Sequence, residues 1–346
     1  MHHIAKRKWL PALIAFWILA GVERGRAHAY PIAPVTLWDL TKQADTIVLA
    51  NVERERAIDR GRDDRDWDDT IAVLSVRETW KGKAAGIIEV PHPANMICPA
   101  PPRFEAGLTV LAFLTHNKRG KLQTVGLSYG TLYPEPAELT VFRELVRQAT
   151  VVQSITNEAD GERSRVDWLV AAASEVPTRW HGLYGLAPEG DALHSFYDDR
   201  PRRSPTLTTQ HLDKLARAFV AAPALDFTLP MMLKVLDGHP SASVDETAVA
   251  AVDTVVDWND PPYWAPDLVA LTLRRLGKSQ PPQDTKHQQG EQELFERDPL
   301  LGGLSFDRTK LRDRWAELRK EIPFAHRTLA LPPNAGVRRT GATTPP

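Results

Sequence analysis

Apolar positions change their period once along this chain. Between Thr46 and about Tyr133 they tend to alternate, and after Glu135 they recur every three to four residues. The first stretch reads as a run of short strands. Thr46 to Val52 (TIVLANV) is rich in β-branched residues and follows Ala44-Asp45. Thr70 to Trp80 alternates over much of its length, with Ile71, Val73 and Ser75 on one face. Lys81-Gly82-Lys83 is a turn, Gly86 to Val90 a third strand and Gly107 to His116 a fourth. Asn117 to Gly120 turns the chain into a fifth strand at Lys121 to Leu127. Between the third and fourth, Pro91, Pro93, Pro99, Pro101 and Pro102 make a loop that cannot join a sheet interior. Strands of this length joined by turns predict a small barrel, because closure removes the edges that an open sheet exposes.

The second stretch reads as helices. Leu139, Phe142, Leu145 and Val146 form an apolar stripe within Ala137 to Thr150, and Val166, Leu169, Val170 and Ala173 repeat the spacing. Pro177-Thr178 opens a segment carrying Trp180, Leu183 and Tyr184, and Arg200 to Thr208 is a loop whose last residue can cap the next helix. Thr228 with Pro230 starts another helix, closed by Gly238. Ser243 and Glu246 read as a capping box, and Ala265 to Leu276 ends at Gly277. Short striped helices must bury their stripes against one another. The expected class is therefore α+β and multidomain: a five-stranded OB-like β-barrel followed by an all-α helical bundle or short irregular solenoid. The expected division is a leader at 1–29, the barrel with flanking helices at 30–150 and helices at 151–277. A linker at 278–306, an amphipathic helix at 307–323 and a disordered tail at 324–346 follow.

The N-terminus sets the expected compartment. Lys6, Arg7 and Lys8 precede an apolar run from Trp9 to Val22, and Ala27-His28-Ala29 supplies a small-x-small cleavage pattern. A membrane span needs about 20 apolar residues, and Glu23-Arg24 ends this run too early. The reading is an exported protein, periplasmic or extracellular, whose mature chain begins at Tyr30 and keeps no stable membrane span. Cleavage leaves 38 basic and 43 acidic residues. Such a chain has no excess positive field for phosphate backbones, which argues against nucleic-acid binding. One cysteine, Cys98, excludes a disulfide scaffold and a cysteine-based zinc module. Whether Cys98 is a reactive or cross-linking thiol or a small buried apolar group stays open.

The strand region resembles the netrin/TIMP-like OB-fold modules of exported proteins. The matching residues are Ala44, Asp45, Val52, Trp80, Lys81, Gly82, Cys98, Phe104, Gly107 and Phe113, with Trp80-Lys81-Gly82 the most distinctive piece. The resemblance implies a barrel that binds or inhibits. Inhibitors of that family chelate a protease zinc through a disulfide-bonded N-terminal cysteine. Tyr30-Pro31 departs from that pattern. Val176 to Leu186 is similar to HEAT-like helical repeats, without a measurable period.

Candidate chemistry is sparse. Gly126-Leu127-Ser128-Tyr129-Gly130 matches the G-x-S-x-G nucleophile pattern, but the Thr131 to Pro136 segment is not the helix that the chemistry needs. A last barrel strand is the better account. Asp64, Asp66 and Asp68 have the spacing of a calcium loop, yet Asp69 and Ser75 stand where glycine and glutamate belong, and Arg60, Arg62 and Arg65 offset the charge. No histidine pair has zinc spacing, and no phosphate-binding glycine loop is present. Trp258 to Trp264 crowds aromatics into a proline-containing loop, either an aromatic lip or, as expected, a cover over helix ends. The expectation is an exported, non-enzymatic protein that binds another protein, with no catalytic, metal or cofactor residues assigned. The alternatives are a serine hydrolase using Ser128 and a metalloprotease inhibitor acting through Tyr30.

Overall fold

A computed structural model describes residues 35–58, 68–96, 100–187, 204–278, 295–297 and 304–330. The leader, Tyr30, Cys98 and Asp64 to Asp66 lie outside them. Helix α1 (Leu37–Gln43) opens the described chain, capped by the Thr36 hydroxyl, which accepts from the Asp39 N–H. Strands β1 (Thr46–Ala57), β2 (Thr70–Lys81), β3 (Ile87–His92), β4 (Thr109–His116) and β5 (Leu122–Thr124) follow. All pair antiparallel, in the order β3-β2-β1-β4-β5, and a short β6 (Thr131–Leu132) adds to β4. The outermost strands β3 and β5 return beside each other, so the sheet rolls into a nearly closed five-stranded barrel. The expected class is what the chain adopts.

Strand period explains which residues fill it. Val48, Ala50 and Val52 of β1, Ala72 and Leu74 of β2, Val90 of β3 and Val110, Ala112 and Leu114 of β4 form the barrel interior. The alternate residues Ile47, Leu111 and Phe113 face the other way, into a second core shared with the helices. Both faces of β1 and β4 are thus buried, which is why their sequences read as near-continuous apolar runs. Phe104, on the proline-rich loop, turns into the barrel and is 1% exposed.

The helices are α2 (Leu139–Gln153), α3 (Glu158–Ser174), α4 (Arg179–Leu186), α5 (Thr209–Ala221), α6 (Thr228–Val235), α7 (Ala242–Val256), α8 (Ala265–Arg275) and α9 (Arg308–Arg319). Their apolar stripes join α1 and the outer barrel wall in one cluster. The tightest helix contact is between α3 and α4. A Cβ on Gly182 would lie 2.3 Å from the Ala173 nitrogen and 2.4 Å from the Leu169 oxygen. Gly182→Ala should therefore cost about 2 kcal/mol in urea unfolding. Gly161→Ala, whose Cβ would meet nothing nearer than 3.8 Å, is the control and should not destabilise.

Three local expectations change. Helix α7 is capped by Ser241, whose Oγ accepts from the Val244 N–H, so Ser243 lies inside the first turn. The segment expected as a linker carries a paired β7 (Phe295–Arg297) and β8 (Leu304–Phe306). The tail expected to be disordered from 324 begins ordered: Phe324 and Leu329 pack on the core, and the Leu329 N–H donates to Thr254 Oγ1 at 2.8 Å. Thr208 caps α5 as expected, with His211 completing a capping box.

Candidate interaction surfaces of the barrel

The Trp80-Lys81-Gly82 piece forms a corner between barrel and helices. Lys81 Nζ donates to the Thr41 carbonyl at 2.7 Å, placing a cation at the C-terminus of α1. Burial lowers its pKa. Gly82 has φ +76, and a Cβ there would come within 2.4 Å of the Asp45 oxygen. The Arg143 guanidinium of α2 stacks 5.4 Å from the Trp80 ring centroid and bonds Glu78 at 2.7 Å. Trp80 Nε1 donates to the same carboxylate at 2.9 Å, and with Arg143 it holds Glu78 below its ordinary range. Asp45 accepts from the His116 N–H at 3.0 Å and Thr115 Oγ1 at 2.9 Å, which lowers its pKa. Of the residues that carry the resemblance, Lys81 and Trp80 fix the barrel to α1 and α2, while Asp45 ties the start of β1 to β4 and Gly82 lets the end of β2 pass close to Asp45.

The opposite end holds a polar rim. His92, on the inner face of β3, is 1% exposed, with its ring centroid 5.0 Å from that of Phe104. Its Nε2 lies 2.9 Å from Glu55 Oε1, without hydrogen-bond alignment. Burial raises the Asp69 pKa, but bonds from Asn95, Thr70 and the Ala94 N–H outweigh it and leave the pKa lowered. Across the rim, the Tyr133 hydroxyl donates to the Arg103 carbonyl at 2.5 Å. Burial raises the Tyr133 pKa.

Ser128 does not lie on a barrel strand. β5 ends at Thr124, and Leu127–Gly130 is a 3-10 turn leading into β6. Gly126 and Leu127 have φ of 61 and 56, which no continuous strand tolerates. A Cβ on Gly130 would sit 2.3 Å from the Val125 oxygen. The two glycines thus serve a tight turn between strands, where a nucleophile elbow needs a strand entering a helix. Among the described residues no side-chain hydrogen bond joins Ser128 to a histidine.

Of the remaining candidates, Asp68 and Asp69 are the described part of the calcium-like run, and Asp69 is occupied by Asn95. Among the described residues no three His, Cys, Asp or Glu gather as metal ligands. Trp258 and Trp264 meet edge to face at 6.3 Å, and Arg312 donates to the carbonyls of Val256 and Trp258. The aromatic loop therefore folds over helix ends, leaving Tyr263 exposed. No described helix is long and apolar enough to cross a membrane.

Two surfaces escaped the sequence reading. On the outer wall of β2 and β3, Arg77, Ile87 and Glu89 are exposed, Ile87 by 54%. The second is the end of β1 beyond Val52, where Glu53 to Ala57 continue as strand. Comparison with protein-family models, curated proteins and solved structures finds no match to this chain.

Proposed function

We propose that this is an exported, non-enzymatic binding protein, in which a netrin/TIMP-like barrel braced by a HEAT-like helical frame presents its free wall to another protein. The observation that carries this reading is the shared core. Ile47, Leu111, Phe113 and Val125 commit one side of the barrel to the helices, and the β2–β3 wall turns Arg77, Ile87 and Glu89 outward. A rigid barrel with one wall anchored and another exposed is a display scaffold, and rigidity lowers the ordering cost of association. Polar side chains at the junction act as braces between elements, as Lys81 does on Thr41 and Arg143 on Glu78.

The test is retention of partners from an envelope fraction on the immobilised full chain. An Ile87→Glu/Arg77→Glu double variant should retain at least about tenfold less of any partner. Both side chains are exposed, so its circular dichroism should match the parent. Equal retention would count against the reading. So would ester or peptide turnover that disappears in Ser128→Ala, or protease inhibition abolished by one residue added before Tyr30.

A further inference from the structure

Strand β1 outruns one of its neighbours. Thr46 to Asn51 pair with β4, and Val52 exchanges backbone bonds with Leu108 and Gly107 at 2.8 and 2.9 Å. Past that point Arg54 to Ala57 pair with β2 alone. The Ile58 N–H donates to the Asp69 carbonyl on the β2 side at 2.9 Å. By strand alternation, the N–H and C=O of Ala57 and Glu55 point away from β2. Among the described residues no backbone group meets them, and Glu53 to Ala57 are all exposed. An edge of this kind is a template for a further strand.

Charge decides which strand. A register shift between Val52 and Arg54 sets Arg54 opposite Val73, Glu55 opposite Ala72 and Arg56 opposite Ile71. Ala72 belongs to the barrel interior, so Glu55 lies on the inner face, consistent with its approach to His92, while Arg54 and Arg56 lie on the outer. A second copy added antiparallel about a twofold axis keeps outer faces together. Centred on Glu55, it would place Arg54 opposite Arg56 and Glu55 opposite its own counterpart; centred on Arg56, it would place the two Arg56 side chains opposite each other. Like charges directly opposite repel, so the edge rejects its own copy.

We infer that this edge takes up an extended segment of a different protein as an antiparallel strand. Arg56 already bonds Glu89 across the outer face at 2.9 Å, so that segment carries an acidic residue opposite Arg54, a second that shares Arg56 with Glu89, and a basic residue opposite Glu55. The inference rests on the protein-binding reading above and gives the partner a second contact beside the β2–β3 wall: main-chain bonds to Glu55 and Ala57 supply affinity, and the alternating charges select the register.

A labelled VTEKETV peptide titrated against the full chain by fluorescence anisotropy tests it. VTEKETV should bind at least about tenfold more tightly than the charge-swapped VTKEKTV, and N-methylation at the central lysine should abolish binding by removing the donor that faces Glu55. Ala57→Pro deletes an edge N–H at an exposed position that tolerates proline and should weaken binding about tenfold. Arg54→Glu, which leaves every backbone group in place, should do the same through charge. Equal binding of the two peptides, or tolerance of N-methylation, would overturn the inference. So would a dimer in light scattering that Ala57→Pro dissociates, since the occupant would then be a second copy. If Ala57→Pro keeps a partner that Ile87→Glu/Arg77→Glu loses, the edge is the wrong surface and the protein-binding reading stands. If neither variant changes retention, that reading fails with it.

Discussion

Asp253→Ala should lower the free energy of unfolding by about 3–5 kcal/mol, the largest single-residue effect expected in this molecule. Asp253 is 1% exposed in the apolar helix α7. Arg319 Nε donates to its two oxygens at 3.0 and 3.1 Å, and Trp315 Nε1 donates to Oδ1 at 2.9 Å. The same guanidinium reaches the carbonyls of Ile322 and Phe324. One buried carboxylate therefore fastens α9 and the start of the tail to α7. Alanine leaves the Arg319 charge, with a side chain only 13% exposed, facing apolar neighbours and two carbonyls. Chemical denaturation followed by tryptophan fluorescence and circular dichroism reads the loss. Asp253→Leu combined with Arg319→Met should cost less than Asp253→Ala alone, since it removes both desolvated charges together. A double variant that loses the sum of the two single effects would show that the pair is not coupled.

Asp253 also marks what the sequence makes legible. The barrel strands and most helices follow from periodicity, because burial on one face or two leaves a direct imprint on apolar spacing. Pairings between distant polar side chains leave none. The one available sign is a lone acid within AVAAVDTVV, which calls for a cation somewhere in the fold without saying where. The free edge is hidden for a related reason. Apolar alternation stops at Val52, yet β1 runs to Ala57 because β2 continues the ladder beneath charged residues. Ser128 shows the opposite failure. A motif match and an apolar flank suggest a strand, while positive φ at Gly126 and Leu127 bends the chain into a turn. Helix α1 carries too few residues for a period, and its place is set by contacts from outside it, from Lys81 and from His181.

His181 leads to the second large effect, a loss of stability in mild acid. Its Nδ1 accepts the Leu37 N–H at 3.1 Å, tying the start of α1 to α4, so the ring proton sits on Nε2. Burial pushes its pKa down from 6.5 to about 4. A base whose pKa is lowered by folding leaves the unfolded chain as the better proton binder between those values. Its contribution is complete above the unfolded pKa and diminishes as pH falls toward 4, by about 3 kcal/mol in all and about 2 kcal/mol between pH 7 and 5. The carboxylates whose pKa values folding lowers, Asp45, Asp69 and Glu78, act in a different window. Their contribution is present above the ordinary carboxylate range and is lost only as pH falls through and below it. Urea midpoints measured from pH 7 to 5 therefore isolate His181 from these groups. His181→Gln keeps an acceptor for Leu37 without a titrating ring, so its midpoint should vary far less over that range. Protonation at Nδ1 would set a second N–H against that of Leu37, so acid should loosen α1 first, seen as faster amide exchange at Leu37 to Thr41. Parallel slopes for the parent and His181→Gln would assign the acid sensitivity to other groups.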